Sequence, residues 1–325
     1  MNGYAALMTL HENTATWVGE IMPPHGMSWR NRLLIWALRR WVKPNSLHEQ
    51  DVEKSRALTA RVPFGAQLPH GWQLRADDRP PLQGEWIEPV APDDPARGRC
   101  ILYLHGGAFI SMSPRTHRAI TSRLAVWSKC TLFALEYRLA PEHPFPAALD
   151  DALAAYRAIG LPAENIVVAG DSAGGGLALS LLVALRDAGE SLPAAAVVFS
   201  PCTDLAATGA SIEGNSEADP MFYGAWVKAV SRFYVGTASP LNPLVSPVYA
   251  NLRGLSPLLI QVGDSEVLLD DARRVFATAR RDGVVARFQL WHGVPHGWQM
   301  FAPFLPEGRA ALRSAAEFIR AQLAE

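Results

Sequence analysis

The chain has 325 residues, of which 49% are hydrophobic and 19% are charged. This length allows one large α/β domain or two ordinary domains, and the composition is that of a soluble globular protein with a sizeable core. The formal net charge of −1 provides no electrostatic attraction to nucleic acid or to an anionic membrane surface, so we expect neither as a partner.

The first 60 or so residues carry a helical stripe made by Trp29, Leu33, Trp36, Ala37 and Trp41. The basic run of Arg39, Arg40 and Lys43 among these tryptophans is too short to indicate a nucleic-acid site. Further along, GWQLRA and GEWIEPV, within Gly71 to Val90, are weak strand candidates. The segment APDDPARG, Ala91 to Gly98, is predicted to be a turn by its prolines and aspartates.

From residue 100 onward, strand-like apolar runs alternate with helix-like segments. The predicted strands are CILYL (Cys100–Leu104), TLFALEY (Thr131–Tyr137), NIVVAG (Asn165–Gly170), AAVVFS (Ala195–Ser200), LLIQVG (Leu258–Gly263) and ARFQLW (Ala286–Trp291). The predicted helices lie between and after them, at roughly 116–128, 146–158, 173–187, 267–282 and 307–323. Short, continuously apolar strands are typical of a sheet covered on both faces. The alternation therefore predicts an α/β fold, with a mostly parallel sheet and helices on both sides.

A second segment outside this alternation lies at about 205–250, where apolar side chains recur at helical spacing: Phe222, Trp226, Val230 and Phe233. We interpret this segment and about 1–60 as a helical cap over the carboxyl edge of the strands. The alternative is that these aromatic side chains make ordinary core contacts. We expect residues 1–325 to form a single domain that includes this cap.

The cysteines and the N-terminus indicate a reducing compartment. Cys100, Cys130 and Cys202 are odd in number and far apart, and no C-x-x-C occurs, so we expect no disulfide framework. The N-terminus MNGYAALMTLHENTATW lacks the basic start and the long apolar core of a signal peptide. The longest apolar stretch, around Leu177 to Leu185, is too short to cross a bilayer. We therefore expect a cytoplasmic protein.

Ser172 stands in GDSAG, Gly170 to Gly174, which matches G-x-S-x-G. A predicted strand ends at Gly170 and a predicted helix begins after Ser172, which is the context of a nucleophile elbow. The sharp turn strains the backbone at the serine, and the helix N-terminus beneath it favours a bound negative charge. A phosphate loop at Gly174-Gly175-Gly176 is disfavoured, because neither G-K-[ST] nor G-x-G-x-x-G occurs.

A second motif, His105-Gly106-Gly107-Ala108-Phe109, directly follows the strand CILYL. Two glycines after a strand free two backbone N–H groups to point at a ligand. The N–H groups of Gly106, Gly107 and Ala173 are predicted to form an oxyanion hole for a tetrahedral intermediate. His105 precedes the serine and lies beside this loop, so we assign it a structural hydrogen-bonding role.

The order of catalytic groups in such a fold is serine, acid and then histidine. After Ser172 only His292 and His296 remain. We prefer His296, because its loop GVPHGW follows the final strand and can bring an imidazole over the serine. A zinc pair of these two histidines is disfavoured, since Gly293 and Pro295 prevent a regular helical turn between them.

The acid should follow the strand LLIQVG, where four carboxylates occur: Asp264, Glu266, Asp270 and Asp271. Asp270 and Asp271 are predicted to lie inside the next helix. Asp264 is the first carboxylate after the strand, and Glu266 is two residues further and has the longer side chain. Either could orient His296 through its Nδ1–H and stabilise the imidazolium, so the residues themselves leave both open.

With HGGAF, YRLAPEHPFPAALDD, GDSAGGGLA and the VPHGW loop, the chain resembles the hormone-sensitive-lipase-like family of α/β-hydrolases, and most of all the bacterial carboxylesterases called family IV. The resemblance covers essentially residues 70–325. It implies an eight-stranded sheet with a helical cap, and the same oxyanion donors, Gly106, Gly107 and Ala173. Many relatives carry the acid in a D-P-L-x-D stretch, which falls here on Glu266 to Asp270, so the resemblance favours Glu266.

The resemblance implies a serine carboxylesterase that forms an acyl-enzyme at Ser172, with His296 as the base and Glu266 as its acid. The expected substrates are small-molecule esters of short to medium chain. Lactones are a further candidate, since the chain is also similar to sequences named monoterpene ε-lactone hydrolases. The alternatives are an amidase or N-deacetylase with the same triad and a non-catalytic small-molecule-binding homologue. No cofactor or metal is implied, and relatives that pair through the last strand raise a homodimer as an expectation.

Overall fold

The computed structural model describes residues 6–7, 17–21, 26–46, 51–59 and 68–323. Within them ten strands join one sheet. The strands are β1 (Ala6–Leu7), β2 (Trp17–Ile21), β3 (Trp72–Asp77), β4 (Gly84–Pro89), β5 (Cys100–Leu104), β6 (Thr131–Leu135), β7 (Ile166–Asp171), β8 (Ala195–Phe199), β9 (Leu258–Gly263) and β10 (Ala286–Trp291). Their order across the sheet is β1-β2-β10-β9-β8-β7-β5-β6-β4-β3.

The strands β3 to β10 form the predicted eight-stranded, mostly parallel sheet, which confirms the fold class. The strands β5 to β10 pair in parallel, whereas β4 runs antiparallel to its neighbours β3 and β6. The predicted bounds of Cys100–Leu104, Leu258–Gly263 and Ala286–Trp291 are those observed. The carboxyl ends of the parallel strands therefore share one edge, where the loops after β5, β7, β9 and β10 meet.

Nine α-helices occur in the described ranges, and no helix among them has the length and apolar character needed to cross a membrane. They are α1 (Trp29–Ala37), α2 (Val52–Thr59), α3 (Arg118–Ser128), α4 (Ala147–Ala158), α5 (Ala173–Asp187), α6 (Ser211–Gly214), α7 (Gly224–Val235), α8 (Leu269–Arg281) and α9 (Pro306–Gln322). A π-helical turn, Leu38–Val42, continues α1.

The core lies in two layers, one on each face of the sheet. Along β5, Cys100, Leu102 and Leu104 face the layer formed with α4, α5 and α8, whereas Ile101 and Tyr103 face the layer formed with α3 and α9. This alternation follows from the period of two in a strand. All five side chains are inaccessible to solvent, because helices cover both faces. Full burial of a large apolar side chain contributes about 1.5–3 kcal/mol to stability.

The N-terminal segment does not act only as a cap. The strand β2 pairs in parallel with β10, with Ile21 opposite Trp291, so this part of about 1–60 extends the sheet. The remainder, from α1 to α2, lies beside the pocket described below. Because β2 occupies the outer edge of β10, a homodimer through that last strand would require β2 to leave it.

Candidate active site

Ser172 lies between the end of β7 and the start of α5, as the G-x-S-x-G pattern predicts. Its backbone has φ 52° and ψ −120°, a region that a residue with a side chain enters only at a cost of about 1–3 kcal/mol. Three backbone hydrogen bonds hold the turn. The N–H of Ser172 donates to the Phe199 carbonyl at 2.8 Å, and its carbonyl accepts from Cys202 at 2.9 Å and Gly176 at 3.1 Å.

The glycines on either side of Ser172 are required by packing. A Cβ at Gly170 would overlap the Gly174 carbonyl, and a Cβ at Gly174 would overlap the carbonyl oxygens of Leu104 and His105. The strand β5, the strand β7 and the first turn of α5 therefore approach each other too closely for any side chain. The G-x-S-x-G spacing is the local sequence that this close approach demands.

His296 and Glu266 form a buried pair. The Nδ1 atom of His296 lies 2.6 Å from Oε2 of Glu266. The other carboxylate oxygen, Oε1, accepts from the Ser200 hydroxyl at 2.7 Å and from the Gly263 N–H at 2.6 Å. Glu266 is 0% exposed and His296 is 6% exposed. The carboxylate is thus held from both oxygens and in turn holds the imidazole in one orientation.

Asp264, the other carboxylate that the sequence left open, contacts a different histidine. Its Oδ2 lies 3.0 Å from Nδ1 of His292, and its Oδ1 accepts the Gly293 N–H at 3.0 Å. The two candidate acids and the two candidate bases are therefore sorted into two separate pairs. Asp270 and Asp271 lie inside α8, as predicted.

The environment of His296 favours its charged form. Burial by itself would lower the pKa of this imidazole, but the adjacent Glu266 carboxylate outweighs burial and raises the pKa above its usual range. The carboxylates of Asp219 and Asp171 act in the same direction. An imidazolium that forms at His296 is consequently stabilised by its surroundings.

The loop after β5 differs from the prediction at one residue. The N–H of Gly106 donates to Oδ1 of Asp171 at 3.0 Å, with Nε2 of His117 at 3.3 Å. Gly106 is thus removed from the predicted oxyanion donors, because its N–H is already bonded to a buried carboxylate. Gly107 and Ala108 line the same pocket as Ser172.

Three N–H groups beside the serine are free to bind a ligand. Within the described part of the chain, no acceptor bonds the N–H of Gly107, Ala108 or Ala173. Ala173 is the first residue of α5, where backbone N–H groups have no partner inside the helix. A negative charge that forms beside Ser172 would meet these groups and the positive end of the α5 dipole.

A buried polar cluster is hydrogen-bonded to the loop after β5 through the N–H of Gly106. Asp171 accepts the Tyr103 hydroxyl at 2.6 Å, and its Oδ2 lies 3.2 Å from Nε2 of His117. Burial opposes charge on both Asp171 and His117, but their mutual attraction prevails, so the pKa of Asp171 is lowered and that of His117 is raised. His105 stacks on the ring of Tyr137 at 4.2 Å, in keeping with a structural role. Burial, helped by the neighbouring His117, lowers the pKa of His105 to about 3.

Sequence reasoning missed the support residue Asp219. Its carboxylate accepts the N–H groups of Val267 at 3.0 Å, Met221 at 2.7 Å and Phe222 at 3.1 Å. It therefore ties the cap insertion to the loop that carries Glu266. Asp219 is buried, and burial raises its pKa. The available signal was the Asp219-Pro220 pair, because aspartate before proline typically begins a turn.

Ser172 and His296 line one pocket of about 590 Å³. Its walls come largely from the predicted cap, from the turn after α1 and from the segment around α7: Leu38, Trp41, Phe222, Trp226, Val227 and Val230. The ring of Phe222 stacks on Trp226 with centroids 4.7 Å apart, and it meets the His296 ring edge to face at 5.4 Å. Among the described residues, no group of His, Cys, Asp and Glu side chains is arranged to hold a metal ion.

The comparisons with known proteins all point to the same family. A family model described as an alpha/beta hydrolase fold matches residues 101–300. An acetyl-hydrolase of Streptomyces hygroscopicus is 44% identical over 244 residues, which are 74% of this chain and 80% of that protein. An esterase of Acinetobacter venetianus is 36% identical over 241 residues, 73% of this chain and 78% of that protein.

Two solved structures resemble more than nine tenths of this chain. An esterase from the bacterial hormone-sensitive lipase family has a TM-score of 0.82 at 40% identity, covering 91% of this chain and 99% of that one. An esterase/lipase from an uncultured bacterium has a TM-score of 0.84 at 38% identity, with 92% and 100% covered. The chain therefore belongs to the hormone-sensitive-lipase-like family of the α/β-hydrolases. It is a carboxylic ester hydrolase.

Proposed function

We propose that the chain is a serine carboxylesterase that hydrolyses short- to medium-chain esters through an acyl-enzyme at Ser172. The observation that carries this proposal is the buried contact of 2.6 Å between His296 and Glu266, in the pocket that Ser172 also lines. With Nδ1 bonded to the carboxylate, Nε2 of His296 is the nitrogen that remains to accept a proton.

The chain's own residues account for each step. His296 takes the Ser172 proton as the oxygen attacks the ester carbonyl carbon, and Glu266 stabilises the imidazolium that results. The carbonyl oxygen becomes negative and accepts hydrogen bonds from the N–H groups of Gly107, Ala108 and Ala173, each worth about 3–4 kcal/mol in the transition state. His296 then gives its proton to the leaving alcohol. Water, activated by the same histidine, releases the acid and restores Ser172.

The substrate class follows from the pocket. A volume of about 590 Å³ with mostly apolar walls suits a small ester with a hydrocarbon chain better than a highly charged molecule. The names acetyl-hydrolase and esterase of the relatives support the same range. Lactones remain within this proposal, because a cyclic ester would react at the same carbonyl and leave its alcohol attached to the acyl chain.

Replacement of the nucleophile tests the proposal. We expect Ser172→Ala to lower the turnover of p-nitrophenyl acetate and p-nitrophenyl butyrate by about 10⁴-fold or more, because no group replaces the attacking oxygen. Labelling by a fluorophosphonate probe should disappear as well. The matched control is Ser180→Ala on the same helix, which lies outside the pocket and should keep both properties. A folded Ser172→Ala protein with undiminished turnover would contradict the mechanism.

An amidase or N-deacetylase is the second candidate. The name acetyl-hydrolase of the relative at 44% identity specifies the acyl group and leaves open whether oxygen or nitrogen carries it. Parallel assays on p-nitrophenyl acetate and p-nitroacetanilide decide between the two activities. The esterase proposal expects kcat/KM on the ester to exceed that on the anilide by several orders of magnitude.

A further inference from the structure

The outer face of α1 carries large apolar side chains. Trp29, Leu33 and Trp36 are 66%, 48% and 55% exposed. Their spacing of four and then three residues puts them on the same face of the helix. Sequence reasoning expected this stripe to pack inside a cap, but the structure turns it outward. Contiguous exposed apolar surface of this kind marks an interaction site in soluble proteins.

Polar contacts hold α1 in this orientation. Asn31 is fully buried and its Nδ2 donates to the Gly293 carbonyl at 2.7 Å. Ser28 caps the helix and donates from its N–H and its hydroxyl to the Glu307 carboxylate at 2.8 and 3.0 Å. The face that bears these contacts is fixed against the body of the protein. The tryptophans on the opposite face cannot turn inward without breaking them.

Aromatic contacts extend the exposed face in both directions. Phe304, which is 40% exposed, meets Trp29 edge to face at 6.3 Å. Trp41, which is 58% exposed, meets Trp36 edge to face at 5.0 Å and also lines the pocket that contains Ser172. The exposed face therefore reaches the rim of that pocket. We call this surface the tryptophan stripe, and it comprises Trp29, Leu33, Trp36, Trp41 and Phe304.

The charged residues in the segment that carries most of the tryptophan stripe have one sign. Every charged residue in the segment 26–46 is basic: Arg30, Arg32, Arg39, Arg40 and Lys43. Lys43 is buried and donates to the carbonyls of Ser216 and Glu217, so it does not face outward. The guanidinium of Arg30 lies 5.4 Å from the rings of both Trp29 and Phe304. Between described residues, none of the four arginines forms an ion pair with a carboxylate.

We propose that the tryptophan stripe docks on the surface of a lipid bilayer that contains anionic headgroups. Tryptophan is favoured at the boundary between hydrocarbon and water, and exposed arginines beside it attract anionic headgroups. The helix α1 then lies in the plane of the interface. Because Trp41 belongs both to the stripe and to the pocket rim, an apolar ester dissolved in the bilayer reaches the pocket without crossing bulk water.

Two further arguments favour a lipid surface. A symmetric dimer through the stripe would bring the arginines of one copy against those of the other, which is unfavourable. The net charge of −1 is a sum over the whole chain, and it does not oppose local attraction. Charges further away than about 8–10 Å are largely screened at physiological salt. Glu217 is an exposed acidic residue close to Lys43, which donates to its backbone carbonyl.

Co-sedimentation of the full chain with lipid vesicles tests the proposal. Vesicles of phosphatidylcholine alone are compared with vesicles of phosphatidylcholine and phosphatidylglycerol in equal amounts. We expect binding to the mixed vesicles, weaker binding to phosphatidylcholine, and release by added salt. The double variants Trp29→Ser with Trp36→Ser, and Arg32→Glu with Arg40→Glu, should each lower the partition coefficient by about tenfold or more.

The matched control is Val90→Ser with Leu241→Ser, which removes two apolar side chains that are 55% and 56% exposed and lie outside the stripe. It should bind vesicles like the wild type. Absence of wild-type binding to the mixed vesicles, or unchanged binding by both stripe variants, would overturn the proposal. Analytical ultracentrifugation without lipid tests the alternative that the stripe binds a second copy of this chain. A wild-type dimer that both stripe variants dissociate would assign the stripe to that second copy and overturn the proposal.

The docking surface is independent of the esterase mechanism. Ser172→Ala should bind vesicles like the wild type. Trp29 and Trp36 do not line the pocket, so their double variant should hydrolyse water-soluble p-nitrophenyl acetate at the wild-type rate. Failure of the wild type to hydrolyse esters would contradict the proposed mechanism and leave vesicle binding as a separate result.

Discussion

Glu266 controls the charge of His296 as well as its position. The carboxylate raises the pKa of the imidazole against the opposing effect of burial. The proposed base must be neutral to accept a proton, so activity should fall as the pH drops through this raised pKa. Asp264 has no such part, because its contact is with His292.

We therefore expect Glu266→Gln to lower kcat/KM by about 10³–10⁴-fold, since the amide no longer stabilises the imidazolium. Removal of the negative charge also lowers the pKa of His296, so the acid limb of the pH profile should move to lower pH. Steady-state kinetics across pH measure both effects. Asp264→Asn is the matched control and should cost less than about tenfold. The opposite ranking would give the role of the acid to Asp264.

Asp171 is a candidate positioning residue for the proposed mechanism. It joins the turn that carries Ser172 to the loop after β5 through the Gly106 N–H, and it pairs with His117 inside the core. We expect Asp171→Asn to lower kcat by about ten- to a hundredfold with little change in KM, because in the proposed mechanism this loop binds the oxyanion of the transition state. A change confined to KM would contradict this role.

The pair of Asp171 and His117 also predicts how stability depends on pH. The lowered pKa of Asp171 contributes stability that is present above its ordinary value and is lost as the pH falls through the folded value. The raised pKa of His117 contributes stability that is present below its ordinary value and is lost as the pH rises through the folded value. Urea unfolding of the wild type and Asp171→Asn should differ most between about pH 4 and 6.5.

At the scale of elements, the first turn of α5 packs closely against the loop after β8. The N–H of Cys202, in the loop after β8, donates to the Ser172 carbonyl. A Cβ at Gly176 would overlap the Cys202 carbonyl oxygen. The glycines after Ser172 thus allow α5 to pack closely against the loop after β8. This packing role is consistent with the absence of the residues of a phosphate loop.

Gly176→Ala tests this close approach. We expect a loss of about 1–3 kcal/mol in the free energy of unfolding, because backbone atoms must move to admit the methyl group. Chemical denaturation measures it. Gly189→Ser, at a position where a Cβ would meet nothing within 4 Å but φ is +69°, is a control for backbone strain alone. A Gly176→Ala protein as stable as the wild type would show that the loop after β8 can move aside without loss of stability.

At the scale of the whole molecule, the three cysteines lie within the folded structure and are not joined by disulfides. Cys100, Cys130 and Cys202 are free thiols. Burial raises the pKa of Cys100 and of Cys130 to about 12, and it raises that of Cys202 as well. A thiol reacts as its thiolate, so each should be unreactive in the native protein.

We expect the native protein to react with iodoacetamide much more slowly than free cysteine near about pH 8, and all three thiols to react after unfolding in urea. Mass spectrometry of the modified protein counts them. Cys202 is the most informative of the three, because it lines the pocket and is only partly buried. Rapid native labelling of Cys202 would show that the pocket admits the reagent and that its thiol ionises more easily than expected.

The sequence by itself determined the six parallel strands β5 to β10, most helices, the elbow at Ser172 and the preference for His296. Each depends on neighbours a few residues apart: the continuous apolar runs of buried strands, the helical spacing between them, and the small residues of a tight turn. The strand Thr131–Leu135 ends two residues before the predicted end at Tyr137, because an apolar run does not indicate where hydrogen bonding to the neighbouring strand ends.

Only the tertiary structure decided which N–H groups are free and which way the tryptophans face. The local residues left Asp264 and Glu266 open as the partner of His296, the family resemblance favoured Glu266, and the folded chain brings Glu266 to His296. Gly106 is bonded to Asp171, 65 positions away. Glu266 meets His296 across 30 positions, while Asp264 is taken by His292. The direction of α1 follows from Ser28 and its partner Glu307, 279 positions apart. Such contacts depend on where the folded chain brings distant residues, and no local pattern contains that information.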